Sequence, residues 1–180
     1  MKRITLLRHA KSGWDDPVAR DFDRGLNPRG ERAAVTIGAA AKAAELGIDA
    51  IISSPAVRCT QTLDLFQPAA GLADMEPHWD RRVYLASSAT LLDVMRDNED
   101  RFAHVLLCGH NPGLEDLVLD LVPDNGSSPL RDSVEEKFPT AALATIDCAV
   151  DCWADLKAGC GSVTSFTRPR DLDPDLGPEE

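Results

Sequence analysis

The sequence predicts an α/β protein, a three-layer α/β/α sandwich around a mostly parallel central sheet. Three observations carry this. Short apolar runs alternate with stretches of helical periodicity along the chain. The junctions between them hold helix-starting pairs such as Asn27-Pro28 and Asn111-Pro112. No internal repeat or long linker divides the 180 residues, which suffice for one hydrophobic core.

The elements follow in order. Ile4–Leu7 reads as a first strand, cut short by Arg8-His9, and a loop rich in Gly, Asp and Arg comes next. Asn27 caps a first helix that alanines and Ile37 carry to a stop at Gly47. Ala50–Ile52 is a short buried strand, and Ser54-Pro55 opens the next helix in the same cap-then-proline manner. Ser88 caps a third helix with Leu91, Leu92 and Met95 facing inward. Val105–Cys108 is again a strand, and Asn111-Pro112 starts a helix carrying Leu114, Leu117, Val118 and Leu121. The stretch 123–129 is a turn-rich loop, and Ala141–Ile146 and Ser162–Phe166 are closing strands with Trp153 between them. Residues 1–169 are expected to form one domain, and 170–180 an acidic, proline-containing, flexible tail.

Charge and composition exclude several classes. A formal charge of −11 argues against nucleic acid and anionic membrane as partners. It leaves room for a small anionic group, because a few arginines can make a local positive pocket. No apolar run reaches the roughly 20 residues of a membrane span, and the stretch after Met1-Lys2-Arg3 is too short for a signal peptide. Cytoplasmic localisation is therefore expected. The five cysteines (Cys59, Cys108, Cys148, Cys152 and Cys160) show no repeated C-x-x-C spacing, so reduced thiols are expected rather than disulfides or structural zinc.

Three strand-to-helix junctions carry unusual residues: Leu7–Ser12, Ser53–Arg58 and Cys108–Gly113. In a parallel sheet all three lie beyond the carboxyl ends of strands, the edge where open α/β sheets bind ligands. Arg8, His9, Arg58 and His110 then share one crevice, a set suited to phosphate. Arginine holds two phosphoryl oxygens at once, while histidine supplies a nucleophilic nitrogen or a donor. Taken singly, Arg8-His9 also reads as a capping feature, Arg58 as half of a surface salt bridge, and His110 as a turn residue. No G-x-G-x-x-G follows the first strand, so dinucleotide binding is poorly supported, and the lack of a Walker A sequence excludes P-loop hydrolysis.

These junctions resemble the histidine phosphatase superfamily, which contains the phosphoglycerate mutases. Leu7–Ser12, Asp21–Asn27, Gly109–Gly113 and Phe138–Ala144 look more narrowly like its short SixA-type phosphohistidine phosphatases, over Ile4 to about Pro169. The resemblance implies a phosphoglycerate mutase-like fold, His9 as nucleophile, and Arg8, Arg58 and His110 as the phosphate pocket, with no cofactor and no metal. Two guanidiniums beside His9 should keep its imidazole neutral. Arg24, Lys11 and Asn111 are further candidates for anion binding. Arg24 reads equally as an ion-pair partner and Lys11 as a solvated lysine.

The region Asp80–Ala86 lacks the glutamate that mutase-like relatives use as proton donor. Asp21, Asp23 and Asp80 are the candidate donors, each also readable as a surface charge. Imidazole, with a conjugate-acid pKa of about 6.5, leaves without the strong acid that an alkoxide needs. Phosphohistidine on a partner protein is therefore the expected substrate. The alternatives are a phosphatase or mutase for a small phosphorylated molecule, such as a sugar phosphate or nucleotide, and an inactive module that binds phosphoproteins. The sequence leaves the oligomeric state open.

Overall fold

The computed structural model describes residues 1–15, 17 and 20–178. Six strands form one sheet in the order β3-β2-β4-β1-β5-β6. They are β1 (Lys2–Arg8), β2 (Ala50–Ser53), β3 (His78–Trp79), β4 (His104–Gly109), β5 (Leu143–Cys148) and β6 (Gly161–Thr167). β3, β2, β4 and β1 are mutually parallel, β5 runs antiparallel to β1, and β6 antiparallel to β5. Only β5 therefore opposes the common direction.

The helices are α1 (Pro28–Ala43), α2 (Val57–Ala69), α3 (Ser88–Arg96), α4 (Gly113–Leu121), α5 (Pro129–Glu136) and α6 (Pro169–Leu172). Strand alternation sorts the core onto the two faces of the sheet. Ile4, Leu6, Ile52, Val105 and Leu107 pack against the apolar sides of α3 and α4. Leu7, Ile51, Leu106 and Cys108 point the other way, toward Ala34, Ile37, Leu63 and Phe66 of α1 and α2. Fully burying each such aliphatic side chain is worth about 1.5–3 kcal/mol, so the layers are fixed by the strands rather than by loops. Among the described residues no helix is long and apolar enough to cross a membrane.

Several local expectations change. α1 ends at Ala43, short of Gly47, because Glu45 already takes the left-handed conformation at φ 51°. α2 begins at Val57 without a side-chain cap, and the Ser54 hydroxyl serves elsewhere. The cap of α3 is Ser87, whose Oγ accepts from the Thr90 N–H, and Leu92 is only partly buried. α4 starts at Gly113 rather than at Pro112. β5 begins at Leu143, since Ala141 sits at φ 60° in a turn. β3 and α5 were not expected. Beyond Arg168, residues 169–172 form α6 and 174–176 a 3-10 turn. This segment lies against α1, where Arg29 donates to the Gly177 carbonyl and Arg32 pairs with Asp173.

Two close approaches bear on the site. A Cβ at Gly30 would overlap the Lys11 carbonyl, and one at Gly113 would overlap the Ala86 carbonyl. Glycine at the start of α1 thus lets the chain after β1 lie directly on the helix.

Candidate active site

The register of the sheet brings the three junctions level. Arg8 pairs with Gly109, and Ser53 with Cys108, so β1, β4 and β2 end along one line. The residues that follow, His9, His110 and Ser54, therefore leave the sheet side by side. Antiparallel β5 starts at this same edge, and so delivers the turn Phe138–Ala142 to the site. A cleft of about 320 Å³ opens there, and Arg8, His9, Lys11, Arg24, Arg58, His110 and Asn111 all line it.

His9 is buried, with its ring 5.2 Å from that of His110. Its Nδ1 lies 2.8 Å from the Ala10 carbonyl. A carbonyl can only accept, so Nδ1 carries the proton and Nε2 keeps its lone pair. Burial is the main cause that lowers the imidazole pKa to about 3, with His110, Arg58 and Arg8 adding to it. The ring is therefore neutral at any ordinary working pH. Thr62 holds the backbone beside it, accepting from the Ala10 N–H and donating to the Arg58 carbonyl.

Arg58 is 2 % exposed. Its Nη1 donates to the Asp21 carbonyl at 2.7 Å, and its Nη2 to Asp21 Oδ2 at 3.1 Å and to His110 Nδ1 at 3.2 Å. His110 Nδ1 is thus an acceptor, which leaves the proton on Nε2. That N–H donates to Ser54 Oγ at 2.8 Å, with Cys59 Sγ behind it at 3.6 Å. Ser54 is a support for His110 rather than a helix cap. Arg8 donates to the Phe138 carbonyl at 2.9 Å, the same acceptor that Asn111 Nδ2 uses. The Nε atoms of Arg8 and Arg58 are buried without a partner among the described residues. Buried donors left unpaired are costly, and here both belong to guanidiniums that line the cleft.

The candidate proton donors separate. Asp21 lies in the cleft but is clamped by Tyr84 Oη at 2.6 Å, by Arg58, and by Arg24 Nη2 at 3.0 Å. Burial alone would raise its pKa, yet these donors and the Arg58 charge bring it down to about 2. A carboxylate held this way has no proton to give near neutrality. It orients Arg58 instead. Asp23 pairs with exposed Arg20 outside the cleft. Asp80 caps the 3-10 turn Arg81–Val83 and pairs with Arg82, which lowers its pKa, and it too lies outside the cleft.

Of the further anion-binding candidates, Arg24 donates to Ser12 Oγ and stacks on the Trp14 ring at 3.5 Å. Lys11 is exposed at the rim. The sequence reading missed Tyr84, the chain's one tyrosine, which packs edge-on against both Phe22 and His110. It also missed Leu85 and Thr140, which complete the walls. Leu85 and the neighbouring Ala141 hold positive φ of 49° and 60°. Left-handed non-glycine residues cost about 1–2 kcal/mol each and tend to gather at functional sites.

A neutral, buried imidazole between two guanidiniums at the carboxyl edge of a doubly wound sheet defines a histidine-centred site for an anionic group such as phosphate. Comparison with known proteins gives the class its family. Residues 4–82 match the histidine phosphatase superfamily (branch 1). The chain is 33 % identical over 165 residues to an uncharacterized protein of Mycobacterium tuberculosis strain H37Rv, covering 91 % of this chain and all of that one. It is 32 % identical to the crystal structure of the Agrobacterium tumefaciens protein assigned as a phosphohistidine phosphatase, SixA. That match has a TM-score of 0.78 and covers 93 % of this chain and 98 % of the other. A second protein with the same assignment, from Nakamurella multipartitia, gives 25 % identity, a TM-score of 0.80, and 93 % and 96 % coverage. The chain belongs to the histidine phosphatase superfamily, on its SixA-type side, and is a phosphatase.

Proposed function

We propose that this phosphatase hydrolyses phosphohistidine on a partner protein in the cytoplasm, through a phosphoryl group held transiently on His9. The observation that carries the reading is the state of His9, which lines a cationic cleft with its Nδ1–H tied to the Ala10 carbonyl, so that Nε2 is left unprotonated. Nε2 attacks phosphorus as the P–N bond of the substrate breaks, and the departing imidazole takes a proton from water. The Ala10 carbonyl then stabilises the positive charge on the phosphorylated ring. Arg8 and Arg58 face the equatorial oxygens, where negative charge gathers. Water next cleaves phospho-His9 and releases phosphate.

The substrate class is supported by what lines the cleft. Among the described residues its one carboxyl group is Asp21, already committed as an anion to Arg58, Arg24 and Tyr84. A cleft in which no described residue offers a ready carboxylic acid suits a leaving group that departs without one, and imidazole is such a group. The two assigned SixA proteins of similar sequence and fold point the same way. The test is quenched turnover of a phosphohistidine peptide, followed by intact mass of the enzyme. Turnover with an acid-labile phosphoryl adduct on the wild type, and none on His9→Ala, is the expected result. Brisk hydrolysis of a sugar phosphate or nucleotide, with none of phosphohistidine, would keep the nucleophile and overturn the substrate.

A further inference from the structure

A second pocket, of about 240 Å³, shares Arg8, Lys11 and Thr140 with the cleft and so continues it sideways. Six cationic side chains line it: Arg8, Lys11, Arg29, Lys137, Arg168 and Arg170. They come from β1 and the loop after it, from α1, from the end of α5, and from the segment at α6. No described carboxylate lines it. In a chain with 19 basic and 30 acidic residues, such a one-signed cluster is not what random placement gives.

Of the acidic residues nearest in sequence, Asp171 pairs with Arg168 and so offsets one of the six charges, while Asp173 is turned away to Arg32 of α1. Arg29 is tied to the Gly177 carbonyl, which holds the final turn in place as one wall. Among the described residues Lys11, Lys137 and Arg170 have no ion pair. Pro139, Pro169 and Leu176 add apolar lining. Mixed cationic and apolar walls fit a peptide better than a bare ion, because side-chain stems and backbone cover the apolar surface while carboxylates meet the cations.

We infer that this pocket docks an acidic segment of the phosphorylated partner, beside the phosphohistidine presented to His9. The inference rests on the protein-substrate reading above. With a net charge of −11 the chain as a whole repels an acidic partner, whereas this pocket attracts one. That place adjoins the nucleophile, so the same charges that attract the partner also orient it. The chain segment 168–178, outside the phosphoryl cleft, thereby acts in substrate choice.

The experiment pairs two phosphohistidine peptides, one with Asp and Glu flanks and one with Asn and Gln in their place. Wild type should favour the acidic peptide in kcat/KM, through KM, and lose the preference as salt rises. Reversing Lys137→Glu together with Arg170→Glu should cut the preference by about tenfold or more. Arg101→Glu, a single reversal beside Glu99 at the amino ends of the strands, should leave it intact. Equal treatment of both peptides by the wild type would overturn the inference.

Anisotropy of the labelled, unphosphorylated acidic peptide separates this outcome from failure of the phosphohistidine reading. Binding lost on the double reversal supports docking even where turnover is absent. Absence of binding on the wild type at low salt overturns docking even where turnover is brisk. A preference for fructose 1,6-bisphosphate over fructose 6-phosphate that the double reversal abolishes would assign the pocket to a second phosphate of a small molecule, and would also overturn it.

Discussion

β1 and β4 carry histidine and arginine at both ends, and the two ends treat them differently. At the amino end, His104 Nδ1 donates to the Leu46 carbonyl at 2.7 Å, and Nε2 accepts from the Thr5 hydroxyl, which in turn meets Thr145. Arg3 there is paired with Asp147, and Lys2 donates to two carbonyls. At the carboxyl end, His9 Nδ1 also donates to a carbonyl, but no described residue occupies Nε2. Arg8 and Arg58 each keep a buried Nε without a partner among the described residues. Both histidines have pKa values lowered chiefly by burial. What distinguishes His104 from His9 is neither residue type nor burial but whether the second ring nitrogen has a hydrogen-bond partner.

The sharpest way to break this contrast is at the open end. His9→Ala should lower kcat by about 10⁴-fold or more, the scale seen when a nucleophile is removed, with no phosphoryl adduct in the mass spectrum. A variant within tenfold of wild type would end the covalent mechanism. Arg58→Ala should cost about 3 kcal/mol of transition-state stabilisation, or roughly 10²–10³ in kcat. Asp21→Asn, which loosens the same guanidinium, should cost less, and a larger loss for Asp21→Asn in steady-state kinetics would make Asp21 more than an orienting group.

At the filled end the effect should fall on stability instead. Thr5→Val removes the hydroxyl from His104 and should lower unfolding free energy by about 1–3 kcal/mol, read by urea denaturation, while kcat stays within twofold of wild type, roughly the noise of such a comparison. A drop in kcat matching that of Arg58→Ala would show the two ends to be coupled.

Protonation gives a smaller and more diagnostic effect. Both imidazoles are held below the ordinary value of about 6.5, so the unfolded chain takes up their protons first as pH falls. The stability they contribute is full above about pH 6.5 and is lost as pH drops toward the folded values. For His9 that window reaches down to about 3. NMR titration of the ring C–H signals should therefore find His9 uncharged at pH 5, and a midpoint near 6.5 would mean that the cleft is wetter than its geometry implies. Treatment with EDTA should change kcat least of all, since the positive charge proposed for the site comes from arginine.

The fold was legible because its largest elements are local patterns: the apolar runs of β1, β2 and β4 and the alternating periods between them. The elements that escaped have little pattern to show. β3 is two residues, both exposed, and α5 buries only Arg131 and Val134. His9, Arg8, Arg58 and His110 could be gathered from sequence because parallel strands end at one edge. The role of Asp21 could not, since its decisive partners are Arg58 and Tyr84, 37 and 63 residues away. Ser54-Pro55 imitates a helix start so well that its real partner, His110, has no trace in the local sequence.

Gly30 touches no substrate in this picture, yet the Lys11 carbonyl occupies the space where a side chain would begin. Any other amino acid there must push α1 away from the segment that carries Lys11 and Ser12 on the rim of the cleft. A saturation library scored for growth or turnover should therefore find position 30 as intolerant as the nucleophile itself. In a family alignment it would stand out as an invariant column and invite a catalytic label, although the constraint there is one of room.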